Sequence, residues 1–181
     1  TLWHEIAHVI TLQMSNNRVP RWLTEGISVY EEKRARPEWG REMEMAFAQA
    51  LEQGTILPVR DLNSGFSDPR MISLAYYEAS LLVDHLVATY GEPALRRLLR
   101  AYGQGLENEG ALQEAYGVGF DALQTSFDQY LDRNFGRLRR ALKEPELPVQ
   151  GATADALKSL VEAHPESYTL HLMLGQALHR D

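Results

Sequence analysis

His4-Glu5-Ile6-Ala7-His8-Val9-Ile10 stands near the start of the chain, and Trp22-Leu23-Thr24-Glu25-Gly26-Ile27-Ser28 follows it. Leu2, Ile6, Val9 and Ile10, continued by Leu12 and Gln13, predict a helix over residues 2–15. Residues four apart lie on one face of such a helix, a turn from each other. His4 and His8 can therefore aim two imidazoles at one point. A zinc ion accepts neutral imidazole nitrogen and carboxylate oxygen, and a catalytic zinc keeps one position for water. Glu25 supplies a carboxylate at a plausible distance for a third ligand. Glu5 projects ~100° round the helix from His4, so it flanks such an ion and suits a general base. The plainer alternative is an amphipathic helix with two exposed or locally satisfied histidines. A buried face carrying two His and a Glu needs partners, and Glu25 offers one.

Working outward, the chain reads as helices separated by turn signals. The first helix stops at Ser15-Asn16-Asn17, and Pro20 leads into a second that ends before Arg36-Pro37. A third runs over about 38–53, closed by Gly54. Residues 55–67 read as a plain connector, although a place beside a cleft is the alternative. Asp68 reads as an N-cap with Pro69 at the first helical position, opening a helix that reaches Tyr90 and closes at Gly91. Pro93 opens another, with Leu95, Leu98 and Leu99 on its apolar face. A flexible link over 103–110 and helices over about 109–116 and 119–135 follow. Ile56-Leu57-Pro58-Val59 is the lone hint of a strand, so the covered chain is expected to be all-α.

Composition sets bounds. The chain has 181 residues, of which 44 % are hydrophobic, enough for one domain plus an appendage. A net charge of −7 argues against a nucleic-acid partner. The basic run Arg133, Arg137, Arg139, Arg140 and Lys143 reads as a solvated helix end. There is no Cys, hence no disulfide or thiol chemistry. No apolar run is long enough to span a bilayer. No signal peptide is visible. The chain starts with Thr1 inside the predicted motif helix, which leads to the expectation that it is a piece of a longer protein.

The pair HEIAHVI and WLTEGIS resembles the gluzincin metallopeptidases, the class of thermolysin and aminopeptidase N, and most closely the compact bacterial peptidase MA-like domains. The resemblance rests on about the first thirty residues. It implies zinc held by His4, His8 and Glu25, with Glu5 as base, acting on peptide bonds. It also implies a small β-sheet upstream of the motif helix, whose edge strand pairs with substrate and which this chain does not contain. The chain would then be the helical part of a thermolysin-like domain, and the fragment would hydrolyse peptides poorly. A later Tyr that steadies the oxyanion is implied too. Leu74-Ala75-Tyr76-Tyr77-Glu78-Ala79 resembles its setting, with Tyr77 the better match and Tyr76 the fallback; a core Tyr is the equal alternative. Ser28 or Glu32 could brace the ligands, although Glu31 and Glu32 read better as a solvated face. Asp84 and His85 read as ordinary helix residues.

Glu144-Pro145-Glu146-Leu147-Pro148 marks a linker over 144–150 between a metallopeptidase-like region, 1–143, and a second unit, 151–181. That unit predicts helices over 154–163 and 168–179 around His164-Pro165. His171-Leu172-Met173-Leu174-Gly175 resembles a tetratricopeptide helix, so the hairpin would begin a repeat array. A generic helical hairpin is the alternative. His164, His171 and His179 have no metal-site spacing. Two functions follow: a zinc peptidase acting on peptides or proteins, or an inactive peptidase-like scaffold whose repeat helices hold partner proteins.

Overall fold

The computed structural model describes residues 1–143 and 152–180, so the 144–150 linker lies outside the described residues. The described residues form α-helices and two 3₁₀ segments without any strand. In order they are α1 (Leu2–Met14), α2 (Arg21–Ala35), a 3₁₀ segment (Pro37–Met43), α3 (Glu44–Glu52), a second 3₁₀ segment (Val59–Ser67), α4 (Ile72–Tyr90), α5 (Glu92–Gly103), α6 (Asn108–Tyr116), α7 (Phe120–Leu142), α8 (Ala154–Ala163) and α9 (Tyr168–Arg180). Among the described residues no helix is long and apolar enough to cross a membrane.

α1 ends where the sequence predicts. Asn16 and Asn17 take left-handed φ values of 50° and 59°, which Asn tolerates better than other side-chain-bearing residues. Asn17 N–H then donates back to Leu12 O. The third predicted helix is shorter than expected: residues 37–43 wind as 3₁₀, and α3 starts only at Glu44. The Asp68-Pro69 signal also lies one turn too early. Asp68 Oδ1 accepts from Arg70 N–H and its carbonyl from Met71 and Ile72, so it closes a turn, and α4 begins at Ile72. The 103–110 link is short, since α6 already begins at Asn108.

The 55–67 segment is more than a connector. Val59–Ser67 winds as 3₁₀ and buries Val59, Leu62 and Phe66. It is tied to the helices around it: Val59 N–H donates to Gln124 Oε1 at 2.7 Å, and the Asn63 side-chain Oδ1 accepts from Trp22 N–H at 3.1 Å. Ile56–Val59 pairs with no strand. Instead, Leu57 N–H donates to the Glu78 carboxylate.

α2 and α4 form the centre of the fold, with Leu23, Ile27, Leu82 and Leu86 between them. The contact is close because of Gly26. A Cβ there would stand 2.7 Å from the Ala79 carbonyl oxygen and 3.1 Å from Ala79 Cβ. Gly26→Ala must push the two helices apart, and such overpacking costs ~1–3 kcal/mol. Urea unfolding should show a lower midpoint with an unchanged slope. An unchanged midpoint would mean that the two helices are not held at this distance.

Phe47 of α3 fills the far side of the core, its ring 5.3 Å from Tyr77 and 5.2 Å from Phe135. α8 and α9 pack on each other through Leu157 and Leu170 and leave Tyr168, Leu172 and Leu178 exposed. The outer face of α1 exposes Leu2, Trp3, Ile6, Val9 and Ile10.

Candidate metal centre

The inner face of α1 meets α2 along His4, Ala7, His8 and Thr11. Ala7, Thr11 and Ser15 are buried, while both histidines are half-buried. The two imidazoles sit edge to face with centroids 4.7 Å apart. Glu25, in the first half of α2, is only 8 % exposed. Its Oε2 lies 3.4 Å from His4 Nε2 and 3.1 Å from His8 Nε2. His4, His8 and Glu25 each offer one ligand atom, and these atoms lie within 4.8 Å of one another.

The hydrogen bonds around the cluster fix the tautomers. Thr11 Oγ1 donates to the His8 carbonyl, so its contact with Thr24 Oγ1 at 2.7 Å uses the Thr24 proton. Thr24 Oγ1 must then accept from His8 Nδ1, 2.8 Å away. His4 Nδ1 lies 3.3 Å from Glu32 Oε2, a carboxylate oxygen that accepts. In the neutral form, the one that binds a metal, both rings thus carry Nδ1–H and turn a free Nε2 lone pair toward Glu25. Oε2 of Glu25 is buried without a hydrogen-bond donor among the described residues. Three lone-pair atoms facing one another, with no proton assigned between them, is the donor set a cation satisfies. Two nitrogens and one carboxylate oxygen suit zinc and leave room for a fourth ligand.

Glu32 is therefore not on a solvated face. Burial pushes its carboxyl up, but hydrogen bonds from Thr1 and His4 outweigh this, and its pKa falls below the usual value. Glu31 does stay at the surface, paired with Arg34. Ser28 is buried and its hydroxyl has no hydrogen-bond partner among the described residues.

Glu5 is exposed, and its side chain makes no hydrogen bond or ion pair among the described residues. Tyr77 is placed differently from the sequence reading. Its ring packs into the core against Phe47, with the Lys33 ammonium 5.4 Å above it, and burial pushes its hydroxyl up to about 12. Tyr76, one residue and about 100° away on the helix, faces the cluster instead. Its ring lies 6.5 Å from the His4 ring and 5.1 Å from Phe66, and its hydroxyl contacts Arg21 and Glu25. Burial and the Glu25 charge raise the Tyr76 pKa.

Asp84 and His85 stay away from the cluster. Asp84 accepts from Tyr130, and buried His85 meets Ser126 and Thr89. Two residues beside the cluster escape a sequence reading, Thr24 and Arg21. Thr24 had a local signal, as the hydroxyl next to the expected third ligand.

A family model described as the Peptidase MA superfamily matches residues 1–133. No curated protein and no solved structure matches the chain.

Proposed function

From the premise that the chain belongs to the Peptidase MA superfamily, we propose that it is a zinc-dependent peptidase of the HExxH-and-Glu, gluzincin type. His4, His8 and Glu25 hold the ion in this reading. The observation that carries it is the buried, donorless Oε2 of Glu25 facing two Nε2 lone pairs. A zinc ion bound there supplies Lewis acidity, polarising a carbonyl and acidifying water toward pKa ~7.

The chain's own groups do the rest. Glu5, exposed and unpaired, takes a proton from the attacking water and passes it to the leaving amine. Tyr76, rather than Tyr77, donates its phenol proton as a hydrogen bond to the developing oxyanion, because it is the tyrosine whose ring and hydroxyl border His4 and Glu25. Thr24 and Glu32 keep the imidazoles turned with Nε2 inward. The substrates are peptides or proteins. Residues 1–143 form the peptidase-like unit in this reading. In the 151–181 unit α8 and α9 make a tetratricopeptide-like hairpin in this reading, and their exposed Tyr168, Leu172 and Leu178 suit a protein partner.

Glu5→Gln tests the reading. The variant should bind zinc as the wild type does, while peptide hydrolysis falls by ~10²–10⁴-fold, the usual contribution of a general base. Retained turnover would remove Glu5 from the mechanism. Zinc-loaded wild type that cleaves nothing in a random peptide library would favour the scaffold function instead.

A further inference from the structure

Arg21 occupies the first position of α2, one turn before Glu25, and its guanidinium joins four groups around the cluster. Nε donates to Glu25 Oε1 at 3.4 Å and Nη1 donates to the Phe66 carbonyl at 3.2 Å. The guanidinium carbon lies 5.5 Å from the centre of the Phe66 ring. The fourth partner is the Tyr76 hydroxyl, which also contacts Glu25. Phe66 in turn packs edge to face on Tyr76. One planar cation therefore touches the far oxygen of the acid, the phenol and the 3₁₀ segment that walls them.

The division of the Glu25 carboxylate is the telling feature. Oε1 is held by Arg21, while Oε2 faces His4 and His8. The terminal torsion of a Glu side chain is broad, so nothing intrinsic holds the carboxylate plane at the angle that turns an oxygen on both histidines. A donor held on the second oxygen does fix that angle. Arg suits this task because its rigid fork serves several acceptors at once, whereas Lys offers a single point charge.

Resting on the zinc reading above, we propose that Arg21 is a positioning residue. It fixes the angle of the Glu25 carboxylate, so that one oxygen stays turned on the metal position while the other is held by the guanidinium, and it ties the Tyr76 phenol to the same acid. It does not bind the ion. Without it the carboxylate swings free, and the ligand set loses both its preorganisation and its link to the phenol.

The test compares wild type, Arg21→Gln and Arg21→Lys in the purified protein. Zinc affinity is read by chelator competition, and the visible absorption of the cobalt-substituted protein reports ligand geometry. Arg21→Gln should bind zinc ~10–100-fold more weakly, the range typical for lost outer partners of metal ligands, with an altered cobalt spectrum. Arg21→Lys keeps the charge and most of the stem but lacks the fork, and should recover only part of the affinity. It carries the test if the Gln variant does not fold. A purely structural role would lower the melting temperature of the metal-free protein and leave the cobalt spectrum of the folded fraction unchanged. That result, or unchanged affinity and spectrum in both variants, overturns the assignment of Arg21 and leaves the zinc reading standing. Wild type that takes up neither zinc nor cobalt overturns the zinc reading itself, and the role of Arg21 with it.

Discussion

Glu25→Ala is expected to abolish zinc-dependent stabilisation. A ligand that binds only the folded state stabilises it by ~2.7 kcal/mol at one hundred times its dissociation constant. For a chain of this size 1 kcal/mol shifts the melting temperature by ~2–4 °C, so zinc should raise the wild-type transition by roughly 5–10 °C. In the variant the ion is left with two imidazoles, and zinc uptake should fall by more than ~10²-fold, beyond the effect of losing an outer partner. The metal-free variant should fold nearly as well as the metal-free wild type. The substitution removes a buried carboxylate oxygen that has no hydrogen-bond donor, and deleting an unsatisfied buried acceptor removes its desolvation cost. Its pair with Arg21 involves a guanidinium that is half exposed, so that loss is small. Calorimetry with and without zinc measures both effects. An equal zinc-induced shift in wild type and variant would place the metal elsewhere.

The second large effect is a loss of stability as pH rises, caused by Glu78. This carboxyl is 1 % exposed on α4, in the helix that carries Tyr76. Burial pushes its pKa from 4.5 up to about 8, and the hydrogen bond from Leu57 N–H offsets this in part. Oε1 has no partner. Between the two pKa values the folded state holds a proton that the unfolded state has released. Stability is therefore full below pH 4.5, falls as pH rises and levels off above about 8. Each step of one in pH across that window removes ~1.4 kcal/mol, so the whole loss is roughly 4–5 kcal/mol. Glu78→Gln keeps the shape and an acceptor for Leu57 but cannot ionise. Its melting temperature should exceed that of wild type by a margin that grows from pH 5 to pH 8. Parallel pH profiles for the two proteins would show that Glu78 ionises no differently in the folded chain.

Much of the local structure was legible because helix signals are short-range. The HEIAHVI run, the Asn16-Asn17 stop and the Gly91 break each act within a turn of the backbone, and α1, α2 and the end of α4 lie where those signals place them. Asp68-Pro69 misled for the same reason. A short polar side chain caps a turn as readily as a helix, and the backbone resolved the choice only at Ile72. The two 3₁₀ segments carry no periodic signature of their own. Val59–Ser67 takes its form from distant partners, Gln124 on α7 and the start of α2.

The tyrosine pair shows where sequence reasoning ends. Tyr76 and Tyr77 share one helix and one composition, and they differ by ~100° of rotation. Only the packing of α4 against α2 and α3 decides which ring enters the core. Phe47 takes Tyr77, and Tyr76 is left facing His4. Glu32 is a parallel case: it sits beside Glu31 in a charged stretch, yet it faces α1 and accepts from His4.

Helical periodicity is written residue by residue, so the helices and the two histidines on one helix face were legible from the residues alone. Packing between helices brings Glu25 to them, sets Thr24 and Glu32 against their Nδ1 atoms, and places Tyr76 rather than Tyr77 alongside. Those outcomes depend on how closely α1 and α4 approach α2, and the space left by Gly26 against Ala79 controls the latter approach. No spacing along the chain encodes that distance.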